Sequence, residues 1–205
     1  MARTETHSSL SSVGRKRIRP RAIDIPMLDF HTHNLNAPAG EAIISLPREA
    51  VLSPADFAWR DGALYSAGIH PWWTDDERQC LAMLENIRRM AEMPQVVSIG
   101  ECGFDRLRGD ISLQKTLFAK QAGISENVKK PMIIHCVRAF DILLAAHKTL
   151  RPTQTWTVHG FRGHPALAKQ LLDAGMDLSF GSHFNAAAFD ITPPARRHRE
   201  TDEDF

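Results

Sequence analysis

Residues 96–136 read VVSIGECGFDRLRGDISLQKTLFAKQAGISENVKKPMIIHC and contain two apolar segments separated by one segment of helical length. The apolar segments, VVSIGE (96–101) and PMIIHC (131–136), have the length and the aliphatic content of buried strands. Residues 111–127 between them form a helix candidate. A strand, a helix and a second strand in this order predict two parallel strands joined by a crossover helix.

The same alternation continues along the chain from Met27 onward. Further strand candidates are MLDFH (27–31), AIISL (42–46), LYSAGIH (64–70), TWTVH (155–159) and MDLSFG (176–181). Further helix candidates lie at 75–92, 138–149 and 165–174. Seven parallel strands covered by helices are more typical of a barrel than of an open sheet, and a barrel needs an eighth strand for closure. The sequence therefore predicts an α/β protein with a TIM (β/α) barrel fold.

The eighth strand is the weak element of this prediction. Its candidate is the terminal stretch ARRHRETDEDF (195–205), whose arginines differ from the nearly continuous apolar residues of a buried parallel strand. The chain from Met27 onward is also shorter than the ~200–250 residues typical of the fold. We therefore predict a short barrel with an incomplete or weak eighth β/α unit, in which residues 190–205 are poorly ordered or weakly paired.

Residues 1–26 differ from the rest of the chain in charge. They carry six Lys or Arg and two acidic residues, a balance of +4, so that the net charge of +1 leaves −3 for residues 27–205. We interpret residues 1–26 as a basic, disordered extension and residues 27–205 as one barrel domain. An organelle transit peptide, or a start site assigned too early, would have the same composition.

The composition excludes several classes of protein. No apolar run approaches the ~18 residues of a membrane span, so no membrane partner is expected. Three scattered cysteines are too few for a disulfide framework, which predicts free thiols in a reducing compartment, the cytoplasm. The net charge of −3 on residues 27–205 argues against a broad basic surface that binds nucleic acid. Any attraction for phosphate therefore has to come from local positive charge or from metal ions.

Six side chains that can bind metals fall at the C-terminal ends of predicted strands. In a (β/α) barrel these ends open onto one face, and that face holds the active site. Residues i and i+2 of a strand share a face, so His31 and His33 can point at one ion. Imidazole and carboxylate together suit Zn²⁺, Mn²⁺ or Fe²⁺, with Mg²⁺ at an oxygen-rich position. The predicted ligands are His31, His33, Glu101, His135, His159 and Asp202.

Other polar residues near the strand ends are candidates for substrate contact. His70 ends the strand candidate LYSAGIH and is either a hydrogen-bonded structural histidine or a substrate-facing one. Arg162 in VHGFRG, and Arg138 just past His135, are either solvated loop arginines or cationic contacts for phosphate.

Six short blocks of the sequence resemble the signature blocks of the TatD family of metal-dependent hydrolases, within the amidohydrolase-like superfamily. In order, they are DFHTH (29–33), GIHP (68–71), SIGECGFD (98–105), PMIIHC (131–136), VHGFRG (158–163) and ETD (200–202). No block is decisive alone, whereas six in the correct order are specific. The resemblance extends from Met27 to Asp202.

The resemblance implies a barrel that holds two adjacent divalent ions, which would be Zn, Mn or Mg. His31 and His33 would hold the first ion, and Glu101 would bridge both. His135 and His159 would hold the second. The same assignment makes Glu101 one of two catalytic residues.

The other implied catalytic residue is Asp202, which would bind the first ion and help to deprotonate the attacking water. Asp105 matches a recurrent acidic position of the family, with a role in substrate binding or in support of a ligand. Family members are generally described as deoxyribonucleases. The resemblance thus implies hydrolysis of phosphodiester bonds, with DNA or a small phosphodiester as substrate. The family is apolar where this chain has RRHR (196–199), which makes Asp202 the least firmly placed of the predicted ligands.

Two other functions are compatible with the same residues. Lewis-acid activation serves carbonyl and phosphoryl centres alike, so a hydrolase of C–N or lactone bonds is an alternative. Glu101 in the bridging position, where such enzymes can use a carboxylated lysine, favours the TatD-like function. The remaining alternative is a truncated pseudoenzyme that binds metal without catalysis. The oligomeric state is not predicted.

Overall fold

The computed structural model describes residues 28–202. The predicted extension, residues 1–26, lies outside the described residues, as do Met27 and residues 203–205. Within the described part of the chain, no helix combines the length and the apolar character that crossing a membrane requires.

Eight parallel strands form a closed barrel in which each strand pairs with its sequence neighbours and the last pairs with the first. The strands are β1 (Asp29–Thr32), β2 (Ala42–Ser45), β3 (Leu64–Ala67), β4 (Val96–Asp105), β5 (Met132–Val137), β6 (Trp156–Val158), β7 (Asp177–Phe180) and β8 (Arg197–Arg199). Each of the seven strand candidates overlaps one of β1 to β7. The predicted TIM barrel is confirmed.

Helices alternate with the strands around the outside of the barrel. They are α1 (Arg48–Leu52), α2 (Glu77–Met90), α3 (Ile111–Val128), α4 (Phe140–Leu150), α5 (Pro165–Asp173) and α6 (Ala186–Ile191). Two short 3₁₀ turns lie at Pro71–Trp73 and Pro194–Arg196. The four predicted helices correspond to α2, α3, α4 and α5, whereas α1 and α6 were not predicted.

Side-chain caps fix where the two longest helices begin. Asp76 Oδ1 accepts a hydrogen bond from the backbone N–H of Gln79 at 3.1 Å. Asp110 Oδ1 accepts from the backbone N–H groups of Ser112 and Leu113 at 2.7 and 3.0 Å. Such caps satisfy N–H groups that have no partner within the helix. They thereby fix the loops that follow β3 and β4, which reach the same end of the barrel.

The hydrophobic core lies between the barrel and its helices. Trp156 of β6 contacts Phe118 of α3, with ring centroids 5.0 Å apart, and Phe118 contacts Phe104 of β4 at 4.6 Å. All three side chains are buried. Because buried aromatic side chains remove large apolar areas from water, this cluster anchors α3 on the barrel wall.

Two glycines let β4 and β5 approach each other closely beside Glu101. A Cβ at Gly103 would lie 2.0 Å from the backbone oxygen of His135, and a Cβ at Gly100 would lie 2.5 Å from that of Ile133. A side chain at either glycine would push the strands apart. The sequence GECG therefore brings Glu101 next to β5.

The last strand closes the barrel although it has only three residues. It pairs with β7 through three residue pairs and with β1 through one, Asp29 opposite Arg199. Beyond the strand, Thr201 donates its backbone N–H to Asp29 Oδ1 at 2.9 Å. The eighth unit is short, as predicted, and no helix follows β8 up to Asp202, the last described residue. The weak pairing that we expected, however, is found only between β8 and β1.

The arginines of β8 contact aromatic rings in place of an apolar surface. Arg197 Cζ lies 4.1 Å from the ring centroid of Phe189, and Arg199 Cζ lies 4.4 Å from the same centroid. Just before the strand, Arg196 donates to Asp177 Oδ1 at 2.8 Å. A guanidinium over an aromatic face is stabilised by the charge distribution of the ring. These contacts allow an arginine-rich segment to complete the barrel.

Candidate metal centre

The six predicted ligands meet at the C-terminal end of the barrel, and we call them the strand-end cluster. They are His31 in β1, His33 just after β1, Glu101 in β4, His135 in β5, His159 just after β6, and Asp202 three residues after β8. Four are buried or nearly so, and His33 and Asp202 are more accessible. The structure thus brings together residues from five different strands.

Glu101 lies at the centre of the strand-end cluster and is 4% exposed. Its Oε1 is 2.7 Å from His135 Nδ1 and 2.7 Å from His159 Nε2. Its Oε2 is 3.3 Å from His31 Nε2 and 3.4 Å from His33 Nε2. One carboxylate therefore contacts two pairs of imidazoles of the cluster, one pair through each oxygen, and its Oε1 also lies 3.2 Å from His70 Nε2.

The second carboxylate of the cluster, Asp202, lies beside the first imidazole pair. Its Oδ1 is 3.7 Å from His31 Nε2 and 3.5 Å from His33 Nε2. Its Oδ2 is 3.5 Å from His159 Nδ1. The arginine-rich β8 therefore leaves Asp202 within the cluster, with contacts of 3.5 to 3.7 Å and a side chain that is 17% exposed.

Several buried polar atoms of the cluster have no hydrogen-bond partner among the described residues. They include both ring nitrogens of His31, Oε2 of Glu101 and Nδ1 of His159. Burying such atoms without a partner is costly, whereas a cation would use their lone pairs as ligands. Donor atoms within 4.8 Å of one another occur in the groups His31–His33–Asp202, His31–Glu101–His159, His70–Glu101–His135 and His159–Glu200–Asp202. The six residues of the strand-end cluster fit a divalent metal ion.

The carboxylate and the imidazoles shift each other's pKa values. Burial raises the pKa of Glu101, but the charge of His159 and hydrogen bonds from the surrounding histidines outweigh burial and hold it well below its ordinary value. Burial lowers the pKa of His159, yet the charge and hydrogen bond of Glu101 raise it well above 6.5. Protons on these imidazoles are what a bound divalent cation would displace.

His70 approaches the cluster as a hydrogen-bond donor. Its Nδ1 accepts from the backbone N–H of Trp72 at 3.0 Å, and its Nε2 lies 3.2 Å from Glu101 Oε1. Burial lowers the pKa of His70 more than its hydrogen bond to Glu101 raises it, so the ring is neutral at pH 7. A neutral imidazole that accepts at Nδ1 carries its proton on Nε2. His70 therefore points an N–H group, and no lone pair, into the site.

Asp105 contacts His135 from behind. Its Oδ2 is 3.5 Å from His135 Nε2 and accepts from Trp72 Nε1 at 2.6 Å, while its Oδ1 accepts from the backbone N–H of Leu107 at 2.7 Å. The residue is 2% exposed. A carboxylate on the second nitrogen of a ligand histidine fixes the orientation of the ring. Asp105 therefore lies directly behind His135, and its role in substrate binding or in support of a ligand stays a prediction.

A family model described as TatD related DNase matches residues 52–202, which is most of the chain. The chain belongs to the TatD-related DNase family. The match includes Glu101, His135, His159 and Asp202 and begins after His31 and His33. The place of these two histidines in the cluster is therefore shown by the geometry at the end of β1.

Proteins named 3'-5' ssDNA/RNA exonuclease TatD are similar to this TatD-family chain. The one from Klebsiella pneumoniae is 33% identical over 118 residues, which cover 56% of this chain and 44% of the relative. The one from Erwinia amylovora is 26% identical over 167 residues, which cover 80% of this chain and 60% of the relative. The chain thus spans about half the length of the curated relatives it matches.

Solved structures of TatD-family proteins have the same fold. YjjV, a TatD homologue from Escherichia coli K12, matches with a TM-score of 0.69 and 23% identity, over 86% of this chain and 78% of that chain. A TatD-family hydrolase from Entamoeba histolytica matches with a TM-score of 0.65 and 18% identity, over 85% and 73%. At these identities the likeness concerns the fold alone.

One residue of this TatD-family site was not predicted from the sequence. Glu200 is buried, and its Oε1 accepts a hydrogen bond from the backbone N–H of Gly160 at 2.6 Å. The same oxygen lies 3.7 Å from His159 Nδ1. Glu200 thus places a further buried carboxylate beside His159. The block ETD (200–202) contained the signal, since it places a second carboxylate two residues before Asp202.

The two predicted arginines lie at the edge of the cluster. Arg138 and Arg162 line a cavity of about 320 Å³ together with His135, His159 and Asp202. Both arginines are exposed. The cavity therefore joins the strand-end cluster to a surface that carries positive charge.

Proposed function

We propose that this chain is a metal-dependent phosphodiesterase that hydrolyses DNA through a water molecule activated at the strand-end cluster. The observation that carries the proposal is the contact of Glu101 with two pairs of imidazoles, one through each carboxylate oxygen. Membership of the TatD-related DNase family supports a phosphodiester as substrate. The names of the relatives, which specify single-stranded DNA and RNA, support a nucleic acid as the substrate.

The two imidazole pairs and two carboxylates support two neighbouring ion sites. His31 and His33, with Asp202, would hold one ion. His135 and His159 would hold the other, and Glu101 would lie between the two. Divalent ions such as Zn²⁺, Mn²⁺ or Mg²⁺ would lower the pKa of a bound water to ~7 and neutralise charge on the leaving oxygen.

Asp202 is the carboxylate best placed to take a proton from the attacking water. Its side chain is 17% exposed, whereas that of Glu101 is 4% exposed and both of its oxygens contact imidazoles. As the water oxygen bonds to phosphorus, Asp202 would accept its proton, the P–O bond to the leaving group would break, and the leaving oxygen would take a proton from solvent to form the alcohol. Glu101 stays ionised throughout and holds the imidazoles in place.

The N–H group at Nε2 of His70 would donate a hydrogen bond to a phosphoryl oxygen of the substrate. The lowered pKa keeps the ring neutral, and the hydrogen bond at Nδ1 holds its orientation. A fixed donor next to the reacting phosphorus stabilises charge that grows on the phosphoryl oxygens. Arg138 and Arg162 would bind the flanking phosphates of a strand through the cavity that they line.

The same proposal includes the domain boundary of the chain and its cellular compartment. Residues 27–205 would be the hydrolase domain, and residues 1–26 a basic extension outside it. Cys80, Cys102 and Cys136 are free thiols in the structure. Burial raises the pKa of Cys136 to about 12, which keeps this thiol protonated and unreactive. Free thiols are compatible with the cytoplasm, the compartment we propose.

Hydrolysis assays with single-stranded DNA and bis(p-nitrophenyl) phosphate test the proposed function. We expect the purified chain to cleave both with Mg²⁺, Mn²⁺ or Zn²⁺, to lose activity in excess chelator, and to recover when the ion is restored. An amide and a lactone serve as comparison substrates. Cleavage of the amide or the lactone, with neither phosphodiester cleaved under any ion, would contradict the proposal.

A further inference from the structure

An exposed tryptophan lies at the rim of the strand-end cluster. Trp72 belongs to the 3₁₀ turn Pro71–Trp73 that follows His70, and 42% of its surface is exposed. Its neighbour Trp73 packs against the hydrophobic core, so Trp73 provides the apolar anchor of this turn. Trp73 therefore holds this turn on the barrel, and Trp72 is left exposed to solvent.

The indole ring of Trp72 is held in one orientation beside the cluster. Its Nε1 donates to Asp105 Oδ2 at 2.6 Å. Its ring centroid lies 4.7 Å from that of His70 and 5.9 Å from that of His135. An exposed ring fixed by a buried carboxylate is pre-organised for a partner, because no rotamer freedom remains to be lost on binding.

A guanidinium lies over the same ring. Arg108 Cζ is 4.0 Å from the ring centroid of Trp72, and Arg108 is itself exposed. The Trp72–Arg108 platform, made of these two side chains, offers an exposed aromatic ring together with a guanidinium group. Unpaired nucleobases stack on aromatic rings and on guanidinium planes, while duplexed bases already stack on each other.

We propose that the Trp72–Arg108 platform stacks the nucleobase of the nucleotide next to the bond that is cleaved. This inference rests on the proposed phosphodiesterase function and adds to it the side chains that would hold an unpaired base. A base is joined to its phosphate through one sugar, and the platform lies directly beside His70 and His135, where that phosphate would bind. Stacking accepts any base, so the platform selects unpaired strands without reading their sequence.

Two strands that differ only in their bases test the platform: oligothymidylate, and a tetrahydrofuran phosphodiester chain of equal length that lacks bases. Affinity is measured by competition against a labelled oligothymidylate with chelator present, and hydrolysis is measured separately with Mn²⁺. We expect the full chain to prefer oligothymidylate, and Trp72→Ala to reduce this preference about 5-fold to 150-fold. Leu81→Ala, an exposed leucine on α2, should keep the preference of the wild type.

Trp72→Phe separates stacking from the hydrogen bond to Asp105, because phenylalanine keeps a ring and loses the indole N–H. We expect Trp72→Phe to retain most of the preference for oligothymidylate. If Trp72→Phe and Trp72→Ala lose this preference equally, or if neither variant loses it, the proposed stacking on the platform is wrong. If the wild type cleaves neither strand, the proposed hydrolysis fails, and the change in binding preference still decides whether the platform exists.

Discussion

Glu101→Gln is expected to lower the rate of phosphodiester hydrolysis by at least about 10³-fold, because stabilisation of transition-state charge by metal ions contributes several kcal/mol. The substitution removes the negative charge that both imidazole pairs contact and leaves an amide of nearly the same size. Metal bound per chain, measured by elemental analysis, should fall in parallel. The barrel should remain folded, since the histidines can lose their protons when the neighbouring charge is absent.

Cys102→Ser is the matched control for this variant. Cys102 is buried next to Glu101 in β4, but successive strand residues point to opposite faces, and its sulfur lies 3.9 Å from the backbone oxygen of Ile133. Metal content and hydrolysis should stay at the level of the wild type. Unchanged metal content and rate in Glu101→Gln would show that Glu101 is no ligand.

A chain that ends at Arg196 is expected to lose cooperative folding. It lacks β8, so β1 and β7 are left with unpaired backbone groups, which favour association with other chains. It also lacks the carboxylate of Glu200 that accepts the Gly160 N–H group. These losses are large against the ~5–15 kcal/mol by which a domain is stable. Circular dichroism should show no sharp thermal transition, and size-exclusion chromatography should show oligomers or aggregates.

The control for this truncation is a chain that ends at Asp202. It keeps β8, the Thr201–Asp29 hydrogen bond and all six members of the strand-end cluster, and should melt at the temperature of the full chain. If the chain ending at Arg196 melts in the same way, the pairing of β8 contributes little to stability and the barrel does not depend on closure.

Most of the barrel could be predicted because its strands are short apolar runs separated by helices of ordinary length. The segments α1 and α6 were missed because helices of five and six residues show too little of the helical period. The way β8 pairs could not be predicted, because the rule for buried parallel strands requires apolar residues. In β8, Arg197 and Arg199 instead contact the ring of Phe189. The sequence does not indicate that Phe189 is their partner.

The ligand candidates could be predicted because parallel strands in a barrel end on a common face, whatever their separation in the chain. The supporting residues could not, because their roles depend on contacts between side chains. Nothing in the sequence indicates that Asp105 faces His135 or that Glu200 faces His159. The role of His70 required the hydrogen bond at its Nδ1, which only the structure provides.

The central claim is that the strand-end cluster binds divalent ions around Glu101. Anomalous scattering at the zinc edge from crystals of the full chain grown with Zn²⁺ tests it most directly. We expect zinc peaks on either side of the Glu101 carboxylate, with imidazole nitrogens of the cluster at roughly 2.0–2.1 Å and carboxylate oxygens at roughly 2.0–2.2 Å. Zinc bound only elsewhere, with none beside Glu101 at saturating concentration, would contradict the claim.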